Sequence, residues 1–172
     1  NLPFVTTWNS ADIEPTNFSN HIGIIGMSGQ RGANKAVFNS DLVVCLGTHL
    51  AIPHTTTLYE SYAPDAKKII VNIDKDDVKN FFLFFLNKNI KFNANPKKFY
   101  RYKRLNWYEP KVGNKPNSNK FINTLTKSIK EKTCIIADGG GTALYSAFQS
   151  SHINKGNKLI CSSSISSMGT GL

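Results

Sequence analysis

The sequence is short of negative charge. Eleven Asp and Glu face 21 Lys and Arg over 172 residues, a net charge of +10. It is also poor in cysteine, with only Cys45, Cys134 and Cys161, all far apart and in apolar contexts. No CxxC or Cys/His cluster occurs, which excludes a zinc frame, and three scattered thiols make no disulfide scaffold. Buried free thiols in a reducing compartment are expected, and with them a cytoplasmic location. No apolar run approaches the roughly 20 residues of a membrane helix. The longest, FFLFFL at Phe81–Leu86, is about a third of that. The N-terminal NLPFVTTW lacks the basic-then-apolar order of a signal peptide. The dinucleotide fingerprint GxGxxG is missing too; Gly26, Gly29 and Gly32 keep only a loose GxxGxxG spacing.

What is present is an ordinary globular composition, 40% hydrophobic and 19% charged. Part of the positive charge is local. Lys97, Lys98, Arg101, Lys103 and Arg104 alternate with Phe99, Tyr100 and Tyr102. Such interleaving can bind nucleic acid by phosphate contact and stacking. No nucleic-acid motif accompanies it, and a solvated basic helix is the preferred reading, so no nucleic-acid partner is expected. His21, His49, His54 and His152 have no ligand spacing and read as solvated or locally hydrogen-bonded side chains.

Apolar strands, glycine turns and helices alternate along the chain. Leu2–Thr7, His21–Ile25, Asp41–Leu46 and Lys67–Ile73 read as buried strands. Helices are expected at Ala33–Asn39, Thr56–Tyr62, Pro96–Leu105 and Phe121–Lys130, with a further start near Asp76 and a strand at Ile90–Asn93. FFLFFL has no period and is expected to pack on another domain or subunit. The order predicts an α/β, Rossmann-like parallel sheet with ligands at the carboxyl ends of its strands. Residues 106–119, with two prolines and few apolar side chains, suit a linker. The segment from Cys134 to Leu172 then reads as strand, Asp138–Thr142 glycine turn, helix, second strand and a Ser166–Gly169 turn. A strand running through glycines into a helix brings free N–H groups and the helix dipole to one point, which suits a phosphate. The chain stops shortly after the last turn, so a piece of a larger protein is expected.

Three segments in register carry a family resemblance. GQRGANKAVFNSDLVVCLGTHL and YAPDAKKIIVNIDKDDVKN resemble the central domain of the thiamine-diphosphate enzymes of the acetolactate synthase, pyruvate oxidase and pyruvate decarboxylase group. Cys134–Leu172 resembles the opening of their cofactor-binding domain. The resemblance implies a central domain at 1–105 that is incomplete at its N-terminus, a linker at 106–119, and a truncated start of the thiamine-diphosphate-binding domain at 120–172. It implies thiamine diphosphate and Mg2+ as cofactors of the full-length protein and a 2-oxo acid as substrate. Acetolactate-synthase-like carboligation is the first choice of reaction, decarboxylation the second, in a homodimer or homotetramer. The alternative is a Rossmann-like nucleotide-binding or scaffold module without catalysis.

Carried over position by position, the resemblance puts Gly141 and Thr142 at the cofactor's diphosphate. Ser166, through its carbonyl, and Met168, through its N–H and side chain, fall at the aminopyrimidine. The family's metal-binding GDG…N motif lies beyond Leu172, and its ring-protonating glutamate belongs to an N-terminal domain of a neighbouring subunit. No catalytic or metal-binding residue is therefore assigned, and the chain alone is expected to be inactive. Ser28 stands where FAD-binding members carry histidine and His49 where they carry arginine, which argues against FAD.

Overall fold

The computed structural model describes residues 2–55, 57–76, 97–106 and 113–161, without the side chains of Thr142 and Ala143. Within them the fold is α/β, and all strand pairing is parallel. Strand β1 (Phe4–Thr6) pairs with β2 (His21–Ile24), β3 (Leu42–Leu46) with β4 (Lys67–Val71), and β5 (Cys134–Ala137) with β6 (Lys158–Cys161). Among the described residues the parallel strands of the expected central domain form the pairs β1–β2 and β3–β4, and the strand–helix–strand unit expected after them forms the pair β5–β6. Helix α1 (Arg31–Phe38) joins β2 to β3, and α2 (Ile52–Thr55) follows β3. Helix α3 (Lys97–Tyr100) continues as a 3-10 turn over Arg101–Leu105; α4 (Ser118–Ser128) precedes β5, and α5 (Gly141–Ser150) joins β5 to β6. The helix expected over Thr56–Tyr62 is instead α2, earlier in the chain, and a separate 3-10 turn at Tyr59–Ser61. Pro53 explains the shift: proline suits a helix's first turn, where its missing N–H has no partner to lose. FFLFFL, the strand expected at Ile90–Asn93 and residues 107–112 of the linker lie outside the described residues.

Two apolar clusters hold these elements. In the first, Ala33 and Val37 of α1 meet Ile25, Cys45, Leu50, Tyr62, Ala63 and Ala66. In the second, Phe148 and Ala147 of α5 pack with Trp8, Ala11, Ile24, Ala137, Ile153 and Leu159. The Phe148 ring stacks on Trp8 at 5.7 Å between centroids. This second cluster joins the β1–β2 region to the β5–α5–β6 unit, which is too small to bury its own apolar face. Polar links reinforce it. Leu159 N donates to Asp12 Oδ2 at 3.0 Å, and Ile153 N donates to Thr16 Oγ1 at 2.8 Å.

Strands β3 and β4 bury one face only. Val43, Cys45 and Ile70 turn to the first cluster. The opposite face is open: Val44 is 47% exposed, Leu46 70%, Ile69 45% and Val71 55%. The register pairs Val44 with Ile69 and Leu46 with Val71, so the four form one apolar patch. Burial of β3 on both faces, as its apolar run suggests, is absent among the described residues.

Candidate functional site

The β5–α5 turn has the geometry of an anion cradle. Strand β5 ends at Ala137, Asp138 Oδ1 accepts from Gly139 N at 2.6 Å, and α5 starts at Gly141. Gly140 is the N-cap and has no side chain to offer, so the first helical N–H groups are not capped by it. Among the described residues the space in front is open. A Cβ built on Gly140 would meet nothing within 4 Å, and one on Gly141 only Tyr145 Cε2 at 3.8 Å. Open N–H groups at the start of a ten-residue helix fit a diphosphate oxygen. Gly141 and the Thr142 backbone lie at this opening. Ser166 and Met168, the other two expected cofactor contacts, lie outside the described residues.

The β2–α1 turn is built from similar residues but is closed. Asn34 pins Gly26 from both sides: its Oδ1 accepts from Gly26 N and its Nδ2 donates to Gly26 O, each at 2.9 Å. Gly26 has φ +111°, and a Cβ there would lie 2.5 Å from Pro53 O. At Gly29 it would lie 2.5 Å from both Ile24 O and Ile25 C. Gly32 is equally tight against Tyr102 O and Asn106 Oδ1. These glycines admit neighbouring backbone, so the turn has no room left for a phosphate. A cavity of about 280 Å³ does lie beside it, lined by Met27, Asn34, Pro53, His54 and Tyr62 among others, with no Lys or Arg among the described residues. Ser28 is buried and His49 exposed. Burial holds the His54 imidazole below its ordinary range, so it is neutral at pH 7 and adds no positive charge.

Asn106 ties the basic segment to this unit. Its Oδ1 accepts from Ala33 N at 3.2 Å, and its Nδ2 donates to Ile22 O and to Gln30 Oε1. The segment's cations are partly engaged within the protein. Lys103 Nζ donates to Phe18 O at 2.6 Å, and Lys98 pairs with Asp41 at 3.6 Å. His21, read as solvated or locally bonded, is buried and local: it stacks on Phe4 at 5.0 Å and its Nε2 lies 3.1 Å from Thr6 Oγ1. Burial, and then the Lys103 charge, lower its pKa to about 4. No metal-ligating cluster of His, Cys, Asp or Glu occurs among the described residues, and no described helix is long and apolar enough to cross a membrane.

Sequence reasoning missed one grouping. His21, Lys103, Asn123, Lys127 and Ser151 line a common cavity. They are spread over 130 positions without a motif, so nothing in their spacing announces them.

Parallel strands feeding glycine turns and helices, one turn closed and the next open, define an α/β protein of the strand–turn–helix type. Residues 1–85 match the family "thiamine pyrophosphate enzyme, central domain", which identifies that segment as a central domain of this family. The acetolactate synthase large subunit of Buchnera aphidicola subsp. Schlechtendalia chinensis is 27% identical over an aligned length of 205, which takes in 100% of this chain and 34% of the relative. That of Haemophilus influenzae is 32% identical over 78 residues, covering 45% of this chain and 13% of the relative. A 3D-(3,5/4)-trihydroxycyclohexane-1,2-dione hydrolase of Listeria monocytogenes is 32% identical over 75 residues, 44% of this chain and 12% of the relative. The chain thus spans between 12% and 34% of the length of these relatives.

Proposed function

We propose that this chain is part of a thiamine-diphosphate- and Mg2+-dependent enzyme acting on 2-oxo acids. Acetolactate-synthase-like carboligation is the favoured reaction and simple decarboxylation the second. The carrying observation is the open start of α5 directly behind β5, at the position the family resemblance gives to the diphosphate. Gly141 N–H and the Thr142 backbone would hold the diphosphate oxygens by hydrogen bonds backed by the helix dipole. The Ser166 carbonyl would accept from the aminopyrimidine and Met168 N–H would donate to it. The bound cofactor supplies a nucleophilic carbon and an electron sink for decarboxylation. In this reading residues 1–105 form the central domain, 106–119 a linker and 120–172 the start of the cofactor domain. Metal ligands and the ring-protonating glutamate come from the rest of the protein and from a neighbouring subunit in a cytoplasmic homo-oligomer, so the chain by itself does not catalyse.

The test is carbon dioxide and acetolactate release by the full-length protein from pyruvate and other 2-oxo acids, with thiamine diphosphate and Mg2+ present. Cofactor-dependent carbon dioxide release is expected; none from any 2-oxo acid refutes the proposal. A second reading, a central domain that serves only as scaffold, draws on the closed Gly26–Gly29 turn and the absence of Lys and Arg among the described residues that line the cavity beside it. It predicts no rise in melting temperature with ADP, FAD, NAD or coenzyme A.

A further inference from the structure

A second site lies away from the β5–α5 turn. A cavity of about 200 Å³ opens between β2, residues 103–106 and the C-terminal end of α5. Lys103, Lys127, His21 and His152 line it, and among the described residues no Asp or Glu does. Ser151 lines it as well. This residue is 7% exposed, and its buried hydroxyl has no hydrogen-bond partner among the described residues. A buried hydroxyl is normally bonded, so the site lacks an acceptor or donor that a ligand would supply. The remaining wall is apolar, with Ile22, Phe148 and Ile153.

We propose that this cavity binds a small oxyanion carrying a short apolar body, in the first instance the carboxylate of a short-chain organic acid, held by Lys103, Lys127 and Ser151. Lys103 gives one N–H to Phe18 O and keeps two further donors. The charges support an anion. Burial and Lys103 lower the His21 pKa, and burial and Lys127 lower that of His152, so each imidazole lies in the field of a lysine that an anion offsets. The volume is that of about seven waters at about 30 Å³ each, which suits a short acid. Since Lys103 follows α3, Lys127 is on α4 and Ser151 follows α5, an occupant ties three segments together. This site is independent of the thiamine-diphosphate reading, and its test contains no thiamine.

The experiment is thermal unfolding of the purified protein titrated with butanoate, inorganic phosphate or chloride at equal ionic strength. Butanoate is expected to raise the melting temperature saturably and chloride not. Ser151→Ala should weaken the apparent affinity about fivefold, the loss of one hydrogen bond. Lys127→Met, at an exposed position, should weaken it at least as much, and serves if Lys103→Met fails to fold. A rise with phosphate alone, with the same dependence on these variants, supports the oxyanion site and assigns inorganic phosphate as its source. No rise beyond chloride, or one that Ser151→Ala and Lys127→Met leave unchanged, overturns the proposal.

Discussion

Gly29→Ala tests whether the β2–α1 glycines serve packing. The added methyl would lie 2.5 Å from Ile24 O, 2.5 Å from Ile25 C and 2.8 Å from Gly26 N. All three are backbone atoms, so no flexible side-chain end can swing aside. Relief requires moving the turn, which is held by Gly29 N to Gly26 O at 2.9 Å, Gln30 N to Ile24 O at 2.7 Å and both Asn34 bonds. Overpacking of this kind costs about 1–3 kcal/mol, and the rigid backbone here places it at about 3. Alanine's lower entropy in the unfolded chain returns about 0.4–1 kcal/mol. The net loss is about 2 kcal/mol, a fall in melting temperature of about 4–8 °C for a chain of this size. Gly141→Ala is the control, because its methyl meets only Tyr145 Cε2 at 3.8 Å. Replacing glycine by alanine inside a helix there should be neutral or stabilising by up to about 1 kcal/mol. Urea and thermal unfolding of both variants read the difference. A Gly29→Ala protein as stable as its parent would refute the packing argument.

Other outcomes follow from single contacts. Asn106→Leu orphans Ala33 N and Ile22 O, and should cost about 2 kcal/mol in urea unfolding. His21 has a folded pKa of about 4 against an ordinary 6.5, so below pH 6.5 the unfolded chain binds the extra proton. Its contribution is complete above pH 6.5 and is lost as pH falls toward 4, about 3 kcal/mol at most. Unfolding at pH 7 and pH 4.5 should therefore show a steeper acid loss in the parent than in His21→Gln; equal slopes would remove His21 as the cause. Among the thiols, Cys45 is buried with its pKa raised to about 11, whereas Cys134 is exposed. A thiol reagent at pH 8 should modify Cys134 first and Cys45 only on unfolding, as peptide mapping would show.

Local pattern made much of the fold legible. The apolar runs at His21–Ile24, Leu42–Leu46, Lys67–Val71 and Cys134–Ala137 are strands because β-branched residues cluster there between glycine turns. Helix α4 was expected from Phe121 and begins at Ser118, where the Asn117 side chain accepts from Lys120 N at 2.9 Å. That cap was readable in the sequence. The exposure of Val44, Leu46, Ile69 and Val71 was not, because composition records that a strand is apolar but not which faces its neighbours cover. Nor was the cavity around Lys103, Lys127 and Ser151, which only tertiary packing brings together.

The two strand–turn–helix units also separate what glycine means in each. By sequence, Gly26–Gly32 and Gly139–Gly141 are both glycine-rich turns after an apolar strand, and doubly wound folds bind ligands at such strand ends. Geometry divides them. After β2 the space a phosphate would need is filled by Pro53 O and the Asn34 carboxamide, and Gln30 reaches across to Gln149 O at 3.2 Å. After β5 nothing lies within 4 Å of a Cβ on Gly140. A glycine that admits backbone and one that admits ligand demand opposite responses to a methyl group. The first loses stability and leaves any phosphate-bearing ligand indifferent; the second keeps stability and loses the ligand. Gly29→Ala and Gly141→Ala, compared for stability and for thiamine diphosphate affinity in the full-length protein, should therefore each lower one measurement and spare the other, stability for Gly29→Ala and affinity for Gly141→Ala. Parallel behaviour would mean that the distinction between a structural turn and a binding turn is wrong.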